Sequence, residues 1–272
     1  MSTVTSNDGT TIAFYRTGEG PPVIAVDGAI SHPAINPTSA ELAALLAPYF
    51  TVYTYDRRGR GGSGDTPPYA IAREVEDLEA LIAQAGGAAC VVAFSSGAML
   101  ALDAAARGAD ISRLALYEAP LIVDDSRPPL PADYLPQMRD FAASGRRADA
   151  LRLFFTAAIG MPAETAEQMR GGPFWTELEK VAPTLAYDAA LTDGTMAGEP
   201  LASDRWGAVM VPALVMDGGA SPAFMHKGAD ALARLLPHAE RATLEGQTHD
   251  VAAETLAPLL TEFFRRQRAA AA

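Results

Sequence analysis

Short uninterrupted apolar runs alternate along this chain with longer segments whose apolar residues recur at helical spacing. Val23-Ile24-Ala25-Val26, closed by Asp27-Gly28, reads as a buried strand opening into a loop. Phe50 to Tyr55 and Arg113 to Glu118 read the same way, while Thr10 to Arg16, bracketed by glycines, reads as a hairpin or edge strand. Between them, Thr38 to Leu46 carries a leucine stripe stopped by Pro48. Ile71 to Ala85 is more strongly amphipathic, with Val75, Leu78, Leu81 and Ile82 on one side and Glu74, Glu76, Asp77 and Glu79 expected to face water. The apolar strands do not alternate with polar positions, which predicts a parallel sheet covered on both faces by helices.

The sharpest local feature is Cys90 to Leu100, read as a buried strand, one abrupt turn and a helix running from Ser96 to Ala106, with Ser95 on the turn. Ala93 and Gly97 leave room for the helix to pass close to the strand, the local geometry of a nucleophile elbow. The simpler alternative is that Ser95 and Ser96 cap the helix.

The rhythm then breaks. Residues 124–208 show helical periodicity, prolines and polar turns but no core strand, so this stretch is expected to be a helical insertion over the strand ends, with Phe154, Phe155, Phe174, Trp175, Tyr187 and Trp206 as an apolar roof. The sheet pattern resumes after Pro212 with Ala213 to Asp217. Ala223 to Leu236 then reads as a helix, Arg241 to Glu245 as a last short strand, and Val251 to Gln267 as a final helix with a break near Pro258.

Composition narrows the function. With 272 residues and 49% hydrophobic residues, the chain can bury one large core or two modest ones. A net charge of −12 argues against nucleic-acid and anionic-membrane partners and leaves a small-molecule substrate as the expected partner. Cys90 is the one cysteine, so no intrachain disulfide is expected, and the four histidines have no metal-ligand spacing. No metal or cofactor is expected. The glycine-rich Asp56 to Gly64 lacks a Walker lysine and is expected to be a tight structural crossing. No leader or membrane-spanning pattern is visible, which points to a cytoplasmic protein.

Asp27-Gly28, Asp56-Arg57-Arg58-Gly59-Arg60-Gly61-Gly62-Ser63, the Ser95 turn and the late His249, in that order, resemble the α/β-hydrolase superfamily over nearly the whole chain. The resemblance implies an α/β fold with a mostly parallel eight-stranded sheet and a helical cap inserted after the sixth strand. Residues 1–123 and 209–272 would form the core and residues 124–208 the cap. It further implies Ser95 as nucleophile and His249 as base, with the backbone N–H groups of Ser96 and Ala29 as oxyanion donors.

The orienting acid has three candidates. The usual position after the seventh strand is Ser221 here, whereas some relatives carry a glutamate after the sixth strand, which favours Glu118, then Asp217, then Asp250. His32 is a candidate substrate contact; His226 and His238 are expected on helix surfaces. The expected activity is hydrolysis of a small to medium apolar ester or lactone through an acyl-enzyme. Thioester hydrolysis and perhydrolysis use the same parts. A non-hydrolytic biosynthetic enzyme of cyclisation type and a non-enzymatic small-molecule binding protein are the alternatives.

Overall fold

The computed structural model describes residues 1–266. The apolar runs form the strands β1 (Ser2–Thr5), β2 (Thr11–Thr17), β3 (Pro22–Val26), β4 (Thr51–Tyr55), β5 (Ala89–Phe94), β6 (Ile111–Tyr117), β7 (Ala213–Gly218) and β8 (Ala239–Leu244). They join in one eight-stranded sheet of order β1-β2-β4-β3-β5-β6-β7-β8. Only the pairings β1 with β2 and β2 with β4 are antiparallel. The α/β-hydrolase fold expected above is therefore the one observed. The polar β1 has no apolar run to announce it; it is an exposed edge held by its ladder to β2.

Helices α1 (Pro37–Leu46), α2 (Ile71–Gln84) and α3 (Ser96–Ala106) connect the first strands. Between β6 and β7 come α4 (Tyr134–Ala143), α5 (Arg147–Leu153), a π-helical turn at Phe154–Ile159, α6 (Ala163–Met169), α7 (Trp175–Val181), a 3-10 turn at Ala182–Thr184, α8 (Leu185–Leu191) and α9 (Ser203–Trp206). Helices α10 (Ala223–Leu235) and α11 (Ala253–Arg265) complete the chain described.

Alternate residues of each strand enter opposite cores. Ile24, Val26, Val91 and Ala93 pack on one face with Leu78, Leu81 and Met99, while Val23, Ala25, Cys90 and Val92 pack on the other with Leu42, Leu260 and Phe263. The helices between β6 and β7 build a third cluster around Leu151, Phe154, Phe155 and Trp175, which reaches Ala29 and Ile30 in the loop after β3. The expected roof is thus only partly aromatic. Phe174 is 63% exposed, Trp206 packs on the sheet side with its indole N–H donating to Asp103, and Tyr187 stacks on Tyr69 at 3.8 Å.

Two further expectations fail. Helix α11 runs through Pro258 without a break, because Leu256, Ala257, Leu260, Phe263 and Phe264 bury one continuous face and offset the missing backbone bond. Glu74 and Asp77 are buried rather than solvated: α2 turns them toward Arg57 and Arg58 of the glycine-rich crossing. Arg266, just past α11, pairs with Glu240 and Glu262, while Gln267, the expected end of the last helix, lies outside the described residues. Among the described residues no helix is long and apolar enough to cross a membrane.

Candidate active site

Strand β5 hands over to α3 at Ser95, whose backbone is held at φ 51°, ψ −127°. A serine in this region costs roughly 1–3 kcal/mol and persists only where its surroundings over-determine it. Here the Ser95 N–H donates to the Tyr117 carbonyl at 3.0 Å, and its carbonyl accepts from Ala98 N–H at 2.9 Å. Two glycines make the turn sterically feasible. A Cβ on Gly28 would lie 2.9 Å from the Ser95 Cβ, and one on Gly97 would lie 2.5 Å from the Val26 carbonyl oxygen. Ser95 is not acting as a side-chain helix cap, since no cap hydrogen bond forms there.

Ile30, Ser95 and Glu118 are the non-glycine residues with positive φ among those described. They follow β3, β5 and β6, so the backbone strain gathers at the carboxyl ends of adjacent strands. Glu118, at φ 46°, is anchored by its N–H donating to the Met216 carbonyl at 2.9 Å. Its carboxylate accepts from the Gly218 N–H at Oε1, 2.9 Å, and from His249 Nδ1 at Oε2, 2.8 Å. The Ser221 hydroxyl forms no full hydrogen bond of its own but lies close enough to favour the anion. Burial pushes the Glu118 carboxyl up, yet the His249 bond, then Ser221 and the Gly218 N–H, hold it below the usual carboxylate range. An ionised carboxylate only accepts, so Nδ1 carries the imidazole proton and Nε2 is left as the acceptor.

Neither of the other two acids bonds to His249. Asp217 accepts from Arg241 at 2.9 and 2.6 Å and meets His226 Nδ1, so it serves an ion cluster instead of His249. His226 stands part-exposed on α10, at the helix surface expected of it, with its Nδ1 turned to Asp217, whereas His238 stands in the exposed turn between α10 and β8 instead of on a helix. Asp250 is exposed beside His249.

The loop after β3 brings Ala29 to the same place, and what holds it is a buried charge network that sequence reading missed. Arg60 donates to the Gly28 carbonyl at 2.6 Å, to the Ser31 carbonyl at 3.1 Å and to Asp188 Oδ2 at 2.6 Å. Arg57 bridges Glu74 and Asp188, and Ser96 Oγ donates to Asp188 Oδ1 at 2.7 Å. Because the Gly28 carbonyl and the Ala29 N–H belong to one planar peptide, fixing the first aims the second. Burial alone would raise the Asp188 carboxyl, but Arg60, Arg57 and the Ser96 hydroxyl hold it low. The Asp27 carboxylate, by contrast, forms no ion pair among the described residues; burial pushes it up against the hydrogen bond from Ser39 at 2.6 Å and the charge of Arg60. The available signal was compositional: arginines inside an otherwise structural glycine-rich loop need acids wherever the chain buries them.

Ala29, Ser95, Ser96, Glu118 and His249 all line one cavity of about 270 Å³, walled by apolar residues such as Phe154, Met196 and Phe224. A second hollow of about 460 Å³ shares Ala29, Ser95 and His249 with it and extends toward Asp27 and Asn36. His32, the candidate substrate contact, lines neither; its ring faces Asp56 at 3.6 Å. A larger surface groove between α1 and α11 contains none of these groups.

Residues 30–259 match the model of the alpha/beta hydrolase family. A solved alpha/beta hydrolase from Sphaerobacter thermophilus DSM 20745 is 52% identical, with a TM-score of 0.87 over 97% of this chain and 100% of that one. An enol-lactonase from Burkholderia xenovorans LB400 is 23% identical, with a TM-score of 0.70 over 97% of this chain and 100% of that one. A thermophilic esterase from Thermogutta terrifontis is also 23% identical, with a TM-score of 0.67 over 97% of each chain. No curated protein matches the sequence. With the family model spanning most of its length and a structural relative sharing half its residues, the chain belongs to the alpha/beta hydrolase family.

Proposed function

We propose that the protein is a serine hydrolase that cleaves a small to medium carboxylic ester or lactone through an acyl-enzyme. The observation that carries this reading is the bond between His249 Nδ1 and Glu118, which leaves Nε2 as a base in the cavity onto which the Ser95 turn opens. Ser95 Oγ attacks the carbonyl carbon as Nε2 takes its proton. The oxygen that becomes negative is met by the N–H groups of Ser96, at the amino end of α3, and of Ala29. His249 then delivers the proton to the leaving oxygen. Water, deprotonated by the same Nε2, attacks the acyl-enzyme, and its proton passes to Ser95 as the acid departs. Glu118 stays ionised and stabilises the imidazolium formed in each half. The esterase and the enol-lactonase with similar folds are consistent with this chemistry, as is a third relative 23% identical, an N-formylmaleamic acid deformylase from Pseudomonas putida S16.

The test is intact-mass analysis after treatment with a small fluorophosphonate. A single adduct, absent in Ser95→Ala and strongly slowed in His249→Ala and Glu118→Ala, is expected. A folded wild-type protein that stays unmodified at millimolar probe would overturn the reading and favour the non-hydrolytic or binding alternatives.

A further inference from the structure

Among the described residues, the wall of the Ser95 cavity carries one cation without an anion. Arg127, in the connection from β6 to α4, is half-buried there. Its Nη2 donates to the Ala157 carbonyl at 2.6 Å, and its guanidinium lies 4.8 Å above the Phe224 ring. These contacts hold the group in place but use one of its five N–H donors. Of the two nearby acids in sequence, Asp124 is committed to Lys227 at 2.7 Å, and the exposed Asp125 forms no ion pair with Arg127. Asp188, on the same cavity wall, is neutralised by Arg57 and Arg60. By contrast the buried Arg57, Arg58 and Arg60 each hold an acid.

A second donor accompanies it. The Tyr134 hydroxyl, at the start of α4 and on the same wall, has no acceptor among the described residues. Burial lowers the Arg127 pKa, with Tyr134 near enough to oppose the shift. Taking a guanidinium out of water without an anion is costly, and the cost is recovered when a carboxylate binds its planar fork. In a protein of net charge −12, a lone cation facing the reaction cavity is a selective feature.

We propose that Arg127, assisted by Tyr134, is an anion-recognising site for the substrate, which is an ester or lactone whose chain bears a free carboxylate. This rests on the serine-hydrolase reading and refines it: the apolar walls formed by Phe154, Met196 and Phe224 take the hydrocarbon, and Arg127 takes the charge.

The experiment compares the monoethyl esters of succinic, glutaric, adipic and pimelic acids with the corresponding ethyl methyl diesters, following ethanol release by wild type, Arg127→Met and Arg127→Lys. Wild type should favour at least one monoester over its diester by ~10-fold to ~100-fold in kcat/KM, the range of a charge-assisted hydrogen bond. Arg127→Met should lose that preference through KM while hydrolysing the neutral diester within ~3-fold of wild type, and Arg127→Lys should restore part of it. Diesters hydrolysed as well as monoesters at every chain length, or a preference surviving in a folded Arg127→Met, would overturn the proposal and leave the esterase reading intact. If no ester is hydrolysed, calorimetric titration of Ser95→Ala with the same compounds decides separately. Binding of a monoester but not its diester, lost on adding Arg127→Met, supports the anion site, and absence of such binding overturns it.

Discussion

Replacing Glu118 by glutamine keeps the shape of the side chain and removes its charge, and the surrounding donors then dictate the tautomer of His249. The Gly218 N–H points at Oε1 from 2.9 Å, so the amide oxygen must occupy that position and the amide NH2 must face His249. His249 Nδ1, now opposite a donor, becomes an acceptor; the imidazole proton moves to Nε2, and the base can no longer accept from Ser95. Flipping the amide to rescue the tautomer would place its NH2 against the Gly218 N–H, leaving a buried donor unsatisfied at about 1–3 kcal/mol, or ~10-fold to ~100-fold in population. Loss of the buried anion that stabilises the imidazolium supplies the remainder of an expected fall of about 10⁴-fold in kcat. The assay is steady-state and burst-phase release of 4-nitrophenol from short acyl esters, with phosphonylation rate as a second readout and circular dichroism to verify folding. Asp217→Asn is the control: its ion cluster with Arg241 and His226 predicts a lower Tm and a kcat within ~3-fold of wild type. The reasoning is refuted if Glu118→Gln keeps more than about a tenth of kcat, or if Asp217→Asn loses as much as Glu118→Gln.

The same geometry sets three further outcomes. Arg60→Met releases the Gly28 carbonyl and with it the direction of the Ala29 N–H, so kcat should fall roughly 10-fold to 100-fold with KM nearly unchanged; a larger rise in KM than fall in kcat would contradict that role. Gly97→Ala sets a Cβ 2.5 Å from the Val26 carbonyl oxygen and 2.6 Å from that of Asp27, so urea denaturation should show a loss of about 1–3 kcal/mol or more; an unchanged midpoint would show that α3 can retreat freely. Glu118, Asp188 and Asp217 have folded pKa values below their unfolded ones, so their stabilisation is complete above about pH 5 and is lost as pH falls through the folded values. Asp27 has the opposite sign: its raised folded pKa means stability is lost as pH rises from the unfolded value through the folded one. Asp27→Asn should therefore be more stable than wild type at pH 7 in urea titrations, and a less stable variant would show that the ionised form is the one held by Ser39 and Asn36.

Local pattern was enough for features whose causes are local. Residues Cys90 to Leu100 contain the strand end, the turn and the helix start that strain Ser95, and one of the two glycines that permit it, Gly97, stands in the same stretch, the other being Gly28 in the loop after β3. Glu118 and His249 could each be placed at the end of a strand for the same reason. Polar β1 was not legible, because its stability lies in a ladder and not in its own side chains. Glu74 and Asp77 were assigned to the wrong environment, because amphipathic periodicity treats every charge as a solvent-facing charge unless its partner is known.

The sequence by itself determined the alternation of strands and helices, the parallel two-faced sheet, and the positions along the chain where a nucleophile, a base and candidate acids could stand. Only the tertiary structure decided which acid meets His249, that His32 turns to Asp56, that Arg127 stands without an anion among the described residues, and that Asp188 crosses 128 positions of sequence to join Arg60 beneath the loop after β3. Hydrophobic periodicity is a property of neighbouring residues and survives in a one-dimensional record. A buried charge is stabilised by a partner that folding brings from elsewhere, and neither member of the pair carries a local sign of the other.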